Sequence, residues 1–169
     1  MRESATEQVP VSPPGTVIRR ARPEEAATVA DLIRRAFAQY RGRLTPPAAA
    51  LDVTAAGVGA LMAAGLVLVA ETDGALAGCV ALQDKGSFAY AGRLAVDPAL
   101  RDFGLGRALV QAAARAARDL GHTRLRVDCR LALDANRRFF AAQGFVEGAQ
   151  RCHPGFTRPT YVELEKSLI

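Results

Sequence analysis

Apolar residues recur along this chain at two spacings, a period of two and a period near 3.6, and the switches between them lay out a succession of strands and helices. Residues 16–20 read as a first strand. Pro23 suits the first position of a helix, and Glu24 and Glu25 complement that helix's positive end. Val29, Ile33, Ala36, Phe37 and Tyr40 give it a buried stripe, and Gly42 marks its end. Residues 45–65 place Pro46 and Pro47 before an Ala-rich stretch holding Val53, Val58, Leu61 and Met62, which predicts a second, interrupted helix. Residues 66–71 and 76–82, about a turn at Asp73-Gly74, predict a β-hairpin, and residues 88–96 supply the next strand. Leu105, Ala108, Leu109, Ala112, Ala116 and Leu120 form the core face of a third helix, with Arg107, Gln111, Arg115 and Arg118 opposite.

Residues 124–129 alternate, with Leu125, Val127 and Cys129 on one face and Arg126 and Asp128 on the other. Asp134 is placed to cap a short helix that Gly144 ends in a left-handed conformation. Residues 145–152 and 160–165 are the last strands, separated by His153-Pro154-Gly155-Phe156. This order permits an α/β (α+β) fold in which a mixed sheet of six to seven strands is flanked by about four helices, and no internal repeat is present. Residues 1–15 mix Ser, Thr, Glu, Gln and Pro with little apolar content and predict a disordered N-terminal extension, leaving residues 16–169 as one domain.

Composition narrows the function classes. No apolar run approaches the roughly 18 residues needed to cross a bilayer, and the N-terminus lacks a basic opening and an apolar signal core. These features predict a soluble, cytoplasmic protein without a membrane partner. Cys79, Cys129 and Cys152 are scattered, with no metal-ligand or CxxC spacing, so they read as packed thiols and no metal site is expected. The net charge of +5 comes almost wholly from arginines spread along the chain, and aromatics make up only 6% of it. A nucleic-acid surface would concentrate its basic residues in a stripe interleaved with aromatics, which ranks DNA or RNA binding low.

The candidate chemistry starts in the loop Arg101, Asp102, Phe103, Gly104, Leu105 and Gly106, between the strand ending in Leu94, Ala95 and Val96 and the third helix. Glycines there let the backbone turn sharply, so that successive N–H groups and the helix N-terminus can point at one anion, such as a phosphate. A plain glycine turn joining strand to helix fits the same residues. A P-loop would need Gly-Lys followed by Ser or Thr, and the chain's lysines, Lys85 and Lys166, lie elsewhere. A dinucleotide fingerprint would need a small residue where Leu109 stands and an acid about 20 positions on, near Arg124.

Arg101-x-x-Gly104-x-Gly106, preceded by Leu94-Ala95-Val96-Asp97-Pro98, resembles the acyl-CoA pyrophosphate loop of the GNAT superfamily of N-acetyltransferases. Asn136-Arg137-Arg138-Phe139-Phe140-Ala141-Ala142-Gln143-Gly144-Phe145 resembles its second landmark, an Asn, an aromatic pair and a closing Gly-Phe. The resemblance is strongest over residues 94–145. It implies a mostly antiparallel sheet splayed between its fourth and fifth strands, with acetyl-CoA as co-substrate. By motif position, Leu94, Ala95 and Val96 would pair with the pantetheine arm. Asp102, Phe103, Gly104, Leu105, Gly106 and Arg107, together with Arg101, would hold the pyrophosphate, and Asn136 and Phe140 would approach the sulfur end.

The implied reaction is direct attack of a small-molecule or peptide amine on the acetyl carbonyl, with the Val96 N–H donating to the developing oxyanion. One such donor contributes about 2.7 to 4 kcal/mol. Presenting a lysine-like amine neutral at pH 7 costs roughly 4.6 kcal/mol, which a base, a water chain or a desolvating pocket must meet. Where some members carry a Glu early in the fourth strand this chain has Tyr90, a candidate base or water-positioner that also reads as a packed aromatic. Where many carry a Tyr that protonates the leaving thiolate it has Phe140, which also reads as a packing partner of Phe145.

Asp128 could aim into the cleft or pair with Arg126 or Arg130, and His153 sits in a loop that could border the acceptor. The leading expectation is an acetyl-CoA-dependent N-acetyltransferase, ahead of a non-catalytic acyl-CoA-binding module and a basic nucleic-acid-binding domain. The acceptor has no recognisable specificity pattern. Homodimers are common in the resembled family, and nothing in the sequence requires one.

Overall fold

The computed structural model describes residues 13–169, so residues 1–12 of the expected extension lie outside the described residues. Pro13, Pro14 and Gly15 form a turn closed by the Thr16 N–H on the Pro13 carbonyl (3.2 Å). The strands are β1 (Thr16–Arg20), β2 (Leu66–Thr72), β3 (Ala75–Asp84), β4 (Ala89–Val96), β5 (Arg124–Arg130), β6 (Val146–Arg151) and β7 (Tyr161–Ser167). The helices are α1 (Ala26–Phe37), α2 (Ala55–Ala64), α3 (Leu105–Asp119) and α4 (Asp134–Ala141). All seven strands join one sheet in the order β1-β2-β3-β4-β5-β7-β6, antiparallel everywhere except between β4 and β5. None of the helices among the described residues is long and apolar enough to cross a membrane.

Two apolar cores flank the sheet. On one face α3 lays Leu105, Leu109, Ala113 and Ala117 against Val80, Leu82, Leu125 and Leu164. This row runs in steps of four and differs from the stripe expected from sequence. Ala108, Ala112 and Ala116 flank the row half-buried, and Leu120, beyond the last turn, is 61% exposed. On the other face α1 and α2 close over Val67, Val69, Cys79 and Ala81 through Val29, Leu32, Ile33 and Val58.

The interrupted second helix resolves into a 3-10 turn, Ala49–Asp52, and α2, with Thr54 accepting the Gly57 N–H as its cap (3.0 Å). Pro23 opens a 3-10 turn, Pro23–Glu25, ahead of α1. Asp134 is the first residue of α4 and makes no capping bond, because the cap position falls on Leu133.

Arg19 ties the start of the chain to the sheet, bonding Glu71 on β2 (2.7 Å) and Glu25 before α1 (2.7 Å). The Arg19 hydrogen bond, helped by the Arg22 backbone N–H, holds the Glu25 carboxyl down at about 2 from an ordinary 4.5. A carboxyl depressed on folding stabilises the fold above its unfolded value, and that stability disappears as pH falls through its folded value. Arg19→Met is therefore expected to lower the urea midpoint at pH 7, by a margin that narrows as pH falls from about 4.5 to about 2. Denaturation curves of both proteins across that range check it.

Candidate active site

Strands β4 and β5 pair through Ala89↔Leu125 and Tyr90↔Arg126 and then part. A bulge in β4 bends the strand at this point, because Arg93 and Leu94 together stand opposite Val80 of β3. Arg93 carries the bulge with a φ of 53°. Strand β5 meanwhile stays paired with β7 along its whole length, from Arg124↔Ser167 to Arg130↔Tyr161. The result is a fork open toward the end of β4. Beyond the bulge, the Asp97 N–H donates to Ala77 (2.8 Å) and Val96 stands opposite Gly78. Bonded and non-bonded pairs alternate in an antiparallel ladder, so the N–H and C=O of Val96 turn away from β3 toward the side that β5 has left.

At the open end of the fork the chain enters α3. Asp97 accepts the Ala99 N–H (2.9 Å) and an ion pair from Arg35 of α1 (2.8 Å), which fixes the start of the loop. Arg101 turns back to donate to the Ala36 carbonyl at the end of α1 (2.8 Å). Asp102 and Gly104 then take left-handed φ values of 68° and 79°, and glycine holds the second of these without a Cβ clash. The first backbone bond inside α3 runs from the Ala108 N–H to the Gly104 carbonyl. The N–H groups of Leu105, Gly106 and Arg107 thus have no acceptor within the helix, no side chain caps them, and the first turn holds no acid. They add to the positive pole of a 15-residue helix. Gly106 faces the Phe139 ring and Val96, and a Cβ there would just touch them at 3.4 and 3.8 Å, leaving no room for a larger side chain's branches on that side.

The structure therefore gathers Val96, Gly104, Leu105, Gly106 and Arg107 at one end of the fork, with Asp102 and Phe103 exposed in the loop. Leu94 packs toward the α3 side, Ala95 turns into the core beneath α1, and Leu105 buries its side chain and offers only its N–H. Three residues sit differently from their motif-based expectation. The Arg101 guanidinium is engaged by α1. Asn136, in the first turn of α4, donates to the Tyr40 hydroxyl (3.4 Å). Phe140 lies in the core between Phe139 and Phe145, edge-on to both at centroid separations of 5.1 and 5.4 Å. Phe139 is thus the ring beside Gly106. Consecutive helical residues point about 100° apart, so the Phe140–Phe145 contact already implied that Phe139 points elsewhere.

The other wall of the fork is polar. Tyr90, at the crotch, pairs with Arg126 and so lies on the same side of the sheet as Asp128, two residues further along β5. Burial, with the negative Asp128 beside it, pushes the Tyr90 phenol above its ordinary 10, so its neutral form faces the cleft. Asp128 opens to solvent on one side. Burial on the other, with Glu163 nearby, raises its carboxyl above the ordinary 3.8 despite the Tyr90 hydroxyl.

The pairing of Asp128 with arginine considered from sequence does not form. Arg126 goes to Glu165 (3.3 Å) and Glu163 (3.7 Å) and stacks over Phe88, while Arg130 reaches the Pro47 carbonyl (3.2 Å). His153 bonds Thr160 and packs edge-on against Tyr161. Burial pushes the Cys79 thiol up to about 12 and the Cys129 thiol up to about 11, which leaves neither as a nucleophile.

Against known proteins, the family model of the acetyltransferase (GNAT) family matches residues 28–145. The PaiA N-acetyltransferase of Thermoplasma acidophilum, solved with coenzyme A, superimposes with a TM-score of 0.74 at 17% identity, covering 90% of this chain and 98% of that one. YncA of Salmonella typhimurium, solved with acetyl-CoA, gives 0.70 at 21% identity over 92% and 95% of the two chains. The ribosomal-protein-S18-alanine N-acetyltransferase of Escherichia coli gives 0.72 at 19% identity over 90% and 94%. No curated protein matches the chain. At these identities the structural likeness is one of fold.

Asp128→Asn removes the charge that opposes ionisation of Tyr90 but leaves the burial. The Tyr90 phenol is then expected to titrate nearer to 10 without reaching it. Absorbance titration of each protein against its Tyr90→Phe counterpart isolates this group, and an unmoved titration would disprove that the two side chains are neighbours.

Proposed function

Because this chain belongs to the GNAT acetyltransferase family, we propose that it transfers the acetyl group of acetyl-CoA to a primary amine by direct attack in a ternary complex. The observation that carries this reading is the placement of an uncapped helix N-terminus at the mouth of a fork whose wall offers unpaired backbone. The N–H groups of Leu105, Gly106 and Arg107, with the turn at Gly104, suit a diphosphate. The edge of β4 beyond the bulge suits an extended amide-bearing arm laid alongside it, as an added strand would be. Arg101 serves by holding the loop to α1, where its guanidinium also meets the negative end of that helix.

The chemistry falls to the polar wall. An acceptor with an ordinary amine arrives as an ammonium, and losing its proton at pH 7 costs roughly 4.6 kcal/mol. Asp128 takes that proton. No arginine forms an ion pair with it, and its raised affinity for protons makes it a better base than an ordinary carboxylate. Tyr90, neutral at this pH, stands beside Asp128 on the same side of the fork and excludes water from one flank of its carboxylate. The freed nitrogen forms a bond to the acetyl carbon while the carbon–sulfur bond breaks. The Val96 N–H donates to the oxygen on which charge develops, a contribution of about 2.7 to 4 kcal/mol. Phe140 has no proton to give, so the proton that the nitrogen sheds as the amide forms passes through water to the departing thiolate. An ordinary thiol pKa of about 8.5 makes that thiolate a fair leaving group without a dedicated acid.

Two expected outcomes test the proposal. Gly104→Val and Gly106→Val, the first straining a left-handed position and the second driving methyls into Phe139, should each weaken coenzyme A binding at least about tenfold by calorimetry. Asp128→Asn should lower kcat by about 10²- to 10⁴-fold, leave coenzyme A affinity unchanged, and remove an acid limb of kcat/KM lying above pH 3.8. Tight cofactor binding by the wild type with no thiol release above hydrolysis, across a panel of amines, would instead support the non-catalytic acyl-CoA-binding module.

A further inference from the structure

Eight arginines of the described residues reach a carboxylate. Most of the others are exposed, where water solvates a guanidinium adequately. Three are drawn in from solvent without an acid in salt-bridge reach: Arg93, Arg101 and Arg130. Arg101 is answered by the carbonyl end of α1. Arg93 and Arg130 are the remaining two, and they occupy the opposite walls of the fork. Each lies three or four residues past the last β4–β5 pair, Tyr90↔Arg126.

Each is held in place by a feature of the fork. Arg93 holds the left-handed position of the β4 bulge, a conformation that non-glycine residues adopt at functional sites where the surroundings impose it. It lines a cavity of about 270 Å³ together with Val53, Thr54, Gly57 and Leu61. Asp52 shares that cavity without coming within salt-bridge distance. Thr54 and Gly57 bring the positive end of α2 to the same space. Arg130 spends one donor on the Pro47 carbonyl, and burial of His153, aided by the Arg130 charge, holds that imidazole below its ordinary titration range. Along β5, Arg130 follows Asp128 by two residues on the same face, a separation of about 6.6 Å. A negative group beside a positive one at that distance complements a ligand of opposite order.

Resting on the acetyl-transfer reading above, we propose that the acceptor is a small molecule bearing both an amine and a carboxylate, an α- or ω-amino acid, with its amine at Asp128 and its carboxylate held between Arg93 and Arg130. An amine at Asp128 and a carboxylate at Arg130 lie only about 6.6 Å apart along β5, a span that an amino acid covers. Two guanidinia without an acid in salt-bridge reach would repel a simple polyamine.

The experiment measures thiol release from acetyl-CoA with free amino acids, each matched to its own carboxamide and to the amine lacking the carboxyl group. Expected is a kcat/KM for at least one amino acid roughly 10- to 100-fold above that of its carboxamide, expressed mainly in KM. Arg130→Gln and Arg93→Gln should each erase that preference by raising KM for the amino acid. For Arg130→Gln, KM for acetyl-CoA and turnover of the carboxamide should stay as in the wild type. As a check that needs no variant, a simple carboxylate without an amine should inhibit competitively against the amino acid. Carboxamides that match or exceed their acids, or variants that weaken both alike, would overturn the inference and leave acetyl transfer standing. Absence of thiol release with every amine would overturn the transfer reading, and this inference with it.

Discussion

The parting of β4 from β5 after a single stretch of parallel pairing is the constraint on which the rest of the molecule depends. A sheet that stayed zipped would satisfy its own backbone and present nothing to a ligand. Here the bulge at Arg93 and Leu94 turns one strand aside while β7 holds the other straight. The price of that opening is a set of strand-edge groups left for solvent or substrate, near the first turn of α3. Both walls take their stiffness from the cores behind them, because Leu109, Ala113 and Leu125 lie fully buried beneath the fork.

The fork is also electrically graded. Its mouth is positive, through helix amides that no acid answers. Its depth holds an aspartate with raised proton affinity beside a phenol kept neutral. The ion pairs that could have silenced the aspartate are formed elsewhere, since Glu163 and Glu165 of β7 take up Arg126. The same two glutamates thus free Asp128 from a partner, and Glu163 raises its proton affinity.

Much of this could be read from the chain alone, and the parts that could be were local. The glycine turn before α3, the hairpin about Asp73-Gly74 and the polar face of β5 all follow from periodicity and turn chemistry within a few residues. What escaped depended on partners far away in sequence. Arg101 looks like an anion ligand until α1 places a carbonyl beside it, 65 residues back along the chain. Asp128 looks paired with its neighbours along the strand until the register of β7 supplies better acids for Arg126. The bulge did leave a trace. Strict alternation would set Arg93 on one face with Ala89, Ala91 and Ala95, yet Ala89 and Ala91 enter one core and Ala95 the other. An arginine among buried alanines marks the step where the alternation breaks.

The last turn of α1 has a position whose consequence reaches across the molecule. Arg35 and the Ala36 carbonyl anchor the loop that precedes α3, and the segment running to α2 over the cleft departs from the residues that follow. Two regions that the proposed transfer assigns to different reactants thus share one foundation. Where a ligand at one of them shifts that turn, the free energy of the shift is felt at the other, and thermodynamic linkage makes the influence equal in both directions.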